Sequence, residues 1–178
     1  MNFDTIEYLK NSAYRQIQAY DILNLKKIFI KLEKYEPILV GTIPLKIDIA
    51  SSDLDIICCF YNREKFVESV KNSFGNEPNF TIKEIINGEI LSIAASFQAD
   101  EFKIEIFGQN IPTKQQLGYR HMIIEYNLLQ QYGEAFRQRI INLKNKGFKT
   151  EPAFAMELNL EGDPYISLLK YEVTENKF

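Results

Sequence analysis

Two aspartates separated by one residue open an apolar run in Ser52-Asp53-Leu54-Asp55-Ile56-Ile57-Cys58-Cys59-Phe60. Side chains alternate along a strand, so Asp53 and Asp55 project from one face, two residue rises apart. Beyond Asp55 the run is apolar on both faces, as in a central strand covered from two sides, and this fixes where the carboxylates stand: at the mouth of a buried strand. Such a pair suits hard divalent cations that take oxygen ligands and keep positions open for substrate phosphates. Upstream, Ile38-Leu39-Val40 reads as a short strand ending in Gly41-Thr42. A glycine there lets backbone approach a phosphate closely, with the Thr42 hydroxyl and neighbouring N–H groups as donors.

Around this stretch the sequence predicts helices at 4–10 and 12–33, with Ser12 as N-cap and Ile17, Tyr20, Leu23, Leu25 and Ile28 at roughly helical spacing. Pro37 stops the second helix. Pro44 and mixed polarity predict a loop over 42–52, without a helix after Gly41. A helix is expected at 62–74 and strands at 80–86, 90–98 and 102–107. The Asn87-Gly88 hairpin turn calls for positive φ at both central residues, and Ala99-Asp100-Glu101 makes the second reversal. In the last strand Lys103 and Glu105 share one face. Helices are expected at 113–130, 133–146, 151–158 and 163–171, broken at Gly133 and Gly147, with Asp163-Pro164 as cap and first turn.

A chain of 178 residues suffices for one domain with a full core. The expected organisation is a single domain over 1–178: N-terminal helices in 1–35, an α/β core in 36–110 and a helical tail in 111–178. The fold class is α+β, a mixed or antiparallel sheet flanked by helices. No apolar run reaches the length of a membrane span, and the N-terminus has neither a basic start nor an apolar signal core, which implies a cytoplasmic protein. Adjacent Cys58 and Cys59 point to opposite faces and read as buried free thiols. A net charge of −3 disfavours a long nucleic-acid footprint. P-loop, dinucleotide-fold, zinc-cluster and serine-hydrolase motifs are absent from the sequence.

Gly41-Thr42 followed by Ser52-Asp53-Leu54-Asp55-Ile56 resembles the signature of the polymerase-beta-type nucleotidyltransferase superfamily, and the whole chain resembles a group of small bacterial proteins assigned to it. The resemblance implies a third carboxylate on a later strand, for which Glu105 is the candidate, beside the aspartate strand. It implies Mg²⁺ or Mn²⁺ held by Asp53, Asp55 and Glu105, and a nucleoside triphosphate as substrate. Gly41, Thr42, Ser52, Lys103 and Arg120 are the candidate nucleotide contacts. The acceptor would be a small molecule or a protein. The sequence departs from the superfamily in Ile43-Pro44-Leu45-Lys46-Ile47, which lacks the arginine and second glycine common there, and in Thr42, where serine is commoner.

Other readings stand beside these. Lys103 can pair with the carboxylates, contact a triphosphate or lie in solvent. His121, between Leu117 and Ile124, is read as packed and hydrogen-bonded, and Arg120 as a phosphate contact or a solvated helix residue. The rival to a transferase is an inactive binding or regulatory module on the same fold, antitoxin-like, with a protein partner.

Overall fold

The computed structural model describes residues 1–172; the end of the expected tail, residues 173–178, lies outside the described residues. Its centre is a five-stranded mixed sheet: β1 (Ile38–Val40), β2 (Leu54–Cys59), β3 (Thr81–Asn87), β4 (Ile90–Ala99) and β5 (Phe102–Gln109), in spatial order β1-β2-β5-β4-β3. β2 and β5 run parallel and the other pairs antiparallel, so the β3-β4-β5 meander carries its last strand to the side of β2.

Alternation along β2 and β5 divides the sheet into two faces. Leu54, Ile56, Cys58, Ile104 and Ile106 enter one core with α1 (Tyr14–Leu25), α2 (Ile28–Leu32) and α4 (Arg63–Phe74). Asn62 caps α4 by accepting from the Lys65 N–H, and Phe66 stacks on Phe60 with centroids 5.2 Å apart. On the opposite face, Ile38, Val40 and Ile57 pack with Met122, Leu128, Leu129, Phe136 and Phe154 in a second core. The long helix α5 (Leu117–Asn145) and α6 (Thr150–Glu157) build that layer. Asp53, Asp55, Lys103 and Glu105 have the same parity as Ile57, so they face the side on which the helical tail folds back.

The structure corrects several expected elements. Residues 4–10 hold only a 3₁₀ turn, Glu7–Leu9, and Ala13 rather than Ser12 occupies the N-cap of α1, with no side-chain cap. The 12–33 helix is two helices, broken where Lys27 adopts left-handed φ of 54°. In an unbroken helix, at about 100° per residue, Ile28 would turn away from Ile22 and Leu23. The break returns Ile28 to the core and leaves Leu25 72% exposed.

A short helix, α3 (Thr42–Leu45), does follow Gly41. Pro44 fits its first turn, where N–H groups have no intrahelical acceptor to lose. The β3–β4 turn centres on Gly88-Glu89, because Asn87 still pairs with Ile90; only Gly88 takes positive φ, at +60°. Residues 113–115 form a 3₁₀ turn rather than the start of a helix, whereas the expected break at Gly133 is present: its backbone (φ 72°, ψ −166°) is non-helical, and two helical stretches of α5 meet there at a kink. Asp163 caps α7 (Pro164–Ser167) as expected, accepting from the Tyr165 N–H. Both cysteines are free and buried. Among the described residues no helix is long and apolar enough to cross a membrane.

Candidate active site

The β1–β2 ladder pairs Val40 with Asp55, and the β2–β5 ladder pairs Asp55 with Glu105. Gly41 leaves β1 at φ +83°, and a Cβ on it would lie 2.7 Å from Asp55 Oδ2. Only glycine therefore gives both the backbone turn and the close approach to the carboxylate. Next in the chain, Thr42 Oγ1 donates to Ser52 Oγ at 3.1 Å, and the Ile49 N–H donates to the same oxygen at 2.9 Å. The Ser52 hydroxyl proton thus remains free to point elsewhere.

Lys103 lies between two of the acids. Its ammonium hydrogen-bonds Glu105 and lies 3.5 Å from Asp53 Oδ2. Burial first, and then the charges of Glu105 and Asp53, push the Asp55 carboxyl up to about 7. Asp53 is also raised by burial, with Lys103 opposing and Glu105 adding to the shift. Among the described residues no group of three His, Cys, Asp or Glu stands ready to hold a metal ion. The donor chemistry nevertheless fits a hard divalent cation: two mutually repelling carboxylates whose protons are hard to remove, a third on the neighbouring strand in register with Asp55, and a side-chain-free approach at Gly41.

Gly41, Thr42, Ser52, Asp53 and Asp55 form one wall of a cleft of about 590 Å³. Helices α5 and α6 supply the other through His121, Glu125, Lys144, Thr150 and Glu151. His121 Nε2 lies 2.9 Å from the Tyr165 carbonyl oxygen, and its Nδ1 lies 3.5 Å from Glu151 Oε1. Burial opposes charging of the imidazole, but Glu151 and that carbonyl outweigh it and raise the pKa above the ordinary value. Glu151 is held below its ordinary value, its own burial outweighed by His121. Lys144 donates to Thr150 Oγ1 at 3.2 Å and is lowered by burial, with nearby carboxylates resisting. Glu125, 3% exposed, is raised well above the usual carboxylate range by burial and by Glu151.

The structure thus gathers Gly41, Thr42, Ser52, Asp53 and Asp55 in the cleft, with Glu105 and Lys103 alongside. Arg120 is not among them. Its guanidinium binds Glu172 bidentately, at 2.8 and 2.6 Å, and lines a different cavity. His121 is packed and bonded as expected, yet it also lines the cleft. Sequence reasoning missed Glu125, Lys144, Thr150 and Glu151. A signal existed for two of them: Lys144 continues the buried stripe Phe136, Ile140 at helical spacing, and Glu125 lies between the buried Ile124 and Leu128. A charge on a buried stripe is a functional-site candidate.

Residues 21–171 match the family described as Domain of unknown function (DUF4269). The chain belongs to the DUF4269 family. No curated protein matches this DUF4269 chain. Among solved structures it is similar to the Cid1 poly(U) polymerase with Mg and 3'-dATP bound, with a TM-score of 0.54 and 13% identity, covering 75% of this chain and 41% of that one. It is also similar to the GLD-2/RNP-8 complex (TM-score 0.53, 15% identity, 86% of this chain and 57% of that one). A third similarity is to the polymerase core of TRAMP, an RNA surveillance complex (TM-score 0.50, 10% identity, 92% and 50%). At these identities the likeness is one of fold: this DUF4269 chain has a nucleotidyltransferase-type fold and spans about half the length of the structures it matches or less.

Proposed function

We propose that the chain is a metal-dependent nucleotidyltransferase that moves a nucleoside monophosphate from a nucleoside triphosphate to a hydroxyl of a small molecule or protein. The observation that supports this reading is the register of Asp55 against Glu105 with Gly41 pressed on Asp55: Asp53, Asp55 and a bare backbone line one end of a cleft, and Glu105 stands on the neighbouring strand beside Asp55. Asp53, Asp55 and Glu105 would hold Mg²⁺ or Mn²⁺, which when bound neutralises phosphate charge and draws the phosphates into line. Thr42, the Ser52 hydroxyl and the backbone at Gly41 bind the outer phosphates from the sheet side. Lys144 and Lys149 face them across the cleft. The acceptor oxygen forms a bond to the α-phosphorus as the bond to pyrophosphate breaks, and the acceptor's proton passes to Glu105.

One observation favours the rival, a nucleotidyltransferase-fold binding or regulatory module without turnover. Lys103 already supplies a positive charge to Asp53 and Glu105, where a transferase would place its cation. Pyrophosphate release with Mg²⁺ and each of the four nucleoside triphosphates, over a panel of hydroxylated acceptors, separates the two readings. Release that is abolished in Asp53→Asn supports the transferase. Saturable triphosphate binding with no release under any condition supports the module.

A further inference from the structure

Two consecutive residues of α1, Arg15 and Gln16, reach the loop that carries the site. Gln16 is 2% exposed, and its carboxamide donates to the Ile43 carbonyl at 3.2 Å and to Asp48 Oδ1 at 2.7 Å. Arg15 Nη2 donates to the Ala50 carbonyl at 3.2 Å and lies 3.5 Å from the Ser52 carbonyl. The same guanidinium sits 4.5 Å over the Phe102 ring and pairs with Glu101 at 3.5 Å and Asp48 at 3.6 Å. Ser52 immediately precedes Asp53, and Phe102 immediately precedes Lys103. One planar cation therefore touches the chain at the mouths of both strands that bear the carboxylates.

The loop itself has no ladder. It closes through Ile47 N–H to the Thr42 carbonyl (3.2 Å), Ser52 N–H to the Ile49 carbonyl (2.9 Å), and the Ser52 hydroxyl, which accepts from Ile49 and Thr42. Such a loop is set by what grips it from outside, and a planar guanidinium stacked on an aromatic ring reaches two carbonyls through Nη2 while Nε and Nη1 face Asp48 and Glu101, a fixed three-way arrangement that an ammonium point charge does not reproduce.

We propose that Arg15 and Gln16 are positioning residues, a brace from α1 that fixes loop 46–52 so that Thr42, Ser52 and Asp53 keep their geometry relative to Glu105. The brace rests on the reading of these groups as the cation and phosphate site. Neither residue touches substrate; they act through the loop.

Arg15→Lys, which keeps the charge but loses the fork, and Gln16→Leu test this in the full chain well below the melting temperature. Amide hydrogen exchange is followed at Ile47, Ile49 and Ser52, with β5 as internal reference, and Mn²⁺ affinity is measured by electron paramagnetic resonance. The expected result is faster exchange in the loop, unchanged exchange in β5, and Mn²⁺ affinity weakened about tenfold, the usual effect of removing a group that orients metal ligands. Loop exchange equal to wild type in both variants overturns the brace, as does a loosened loop with unaltered Mn²⁺ affinity. If wild type takes no Mn²⁺, the cation reading fails by itself, and the exchange result alone decides whether the loop is held by α1.

Discussion

Asp55 and Glu105 stand directly opposite each other on the parallel β2–β5 pair, one on each strand and on the same face of the sheet. Parallel register alone brings together two carboxylates fifty residues apart in the chain. Each further carboxylate of the cluster adds repulsion, which the protein balances with Lys103 and with Asp55's reluctance to ionise.

Gly41→Ala tests how tightly backbone and carboxylate are fitted. The new Cβ meets Asp55 Oδ2, and Gly41's backbone (φ 83°, ψ −148°) is strained for alanine, so a loss of about 1–3 kcal/mol in chemical unfolding is expected from the conformation alone. Metal affinity should fall as well, because Asp55 must move. Wild-type stability in Gly41→Ala would show that the turn tolerates a side chain.

Lys103→Met removes the charge that competes for the acids. Mn²⁺ binding should tighten, and Asp53, which Lys103 holds down, should become harder to ionise. Weaker Mn²⁺ binding in this variant would instead make Lys103 an organiser of the ligands.

His121 is the sole histidine in the chain, so its imidazole resonances identify themselves in a nuclear magnetic resonance titration. Its raised pKa means that the stability from its pairing is full below the ordinary value of 6.5 and lost as pH rises through the raised value. Glu151 works from the other side: its contribution is present above the ordinary 4.5 and lost as pH falls through its lowered value. In Glu151→Gln burial should dominate and the histidine should titrate lower than in wild type; an unmoved titration would exclude the pairing.

Glu125 is expected to cost stability at neutral pH. With its folded pKa raised, the folded state keeps a proton that the unfolded state gives up above about 4.5, so stability falls as pH rises from there towards the raised value. Glu125→Gln should flatten that slope in melts between pH 5 and 8 and melt higher than wild type at pH 7.5. Equal slopes would mean that Glu125 is ionised and paired in the fold.

Much of the sheet side was legible because its signals are local. The alternation of Asp53 and Asp55, the alternation through Lys103 and Glu105, and the turn glycines are read within a few residues each, and they locate the strands and the face of each carboxylate. The break at Lys27 was not legible, since Asn24-Leu25-Lys26-Lys27 contains no glycine or proline; the need to face both Leu23 and Ile28 to one core decides it. Nor was the helical wall. Apolar periodicity tells that α5 buries a stripe, but which strands it covers, and hence that Glu125 and Lys144 face Asp55 across a cleft, depends on long-range docking.

Calorimetric titration of Mn²⁺ into wild type and Asp55→Asn, at pH 8, bears most directly on the three-carboxylate site. Asparagine removes a carboxylate that burial already disfavours, so the variant should fold at least as well as wild type and the comparison is clean. Saturable Mn²⁺ binding by wild type, weakened at least about tenfold in Asp55→Asn at unchanged or higher melting temperature, is the expected result. Identical binding isotherms for the two proteins would contradict a metal site on Asp53, Asp55 and Glu105.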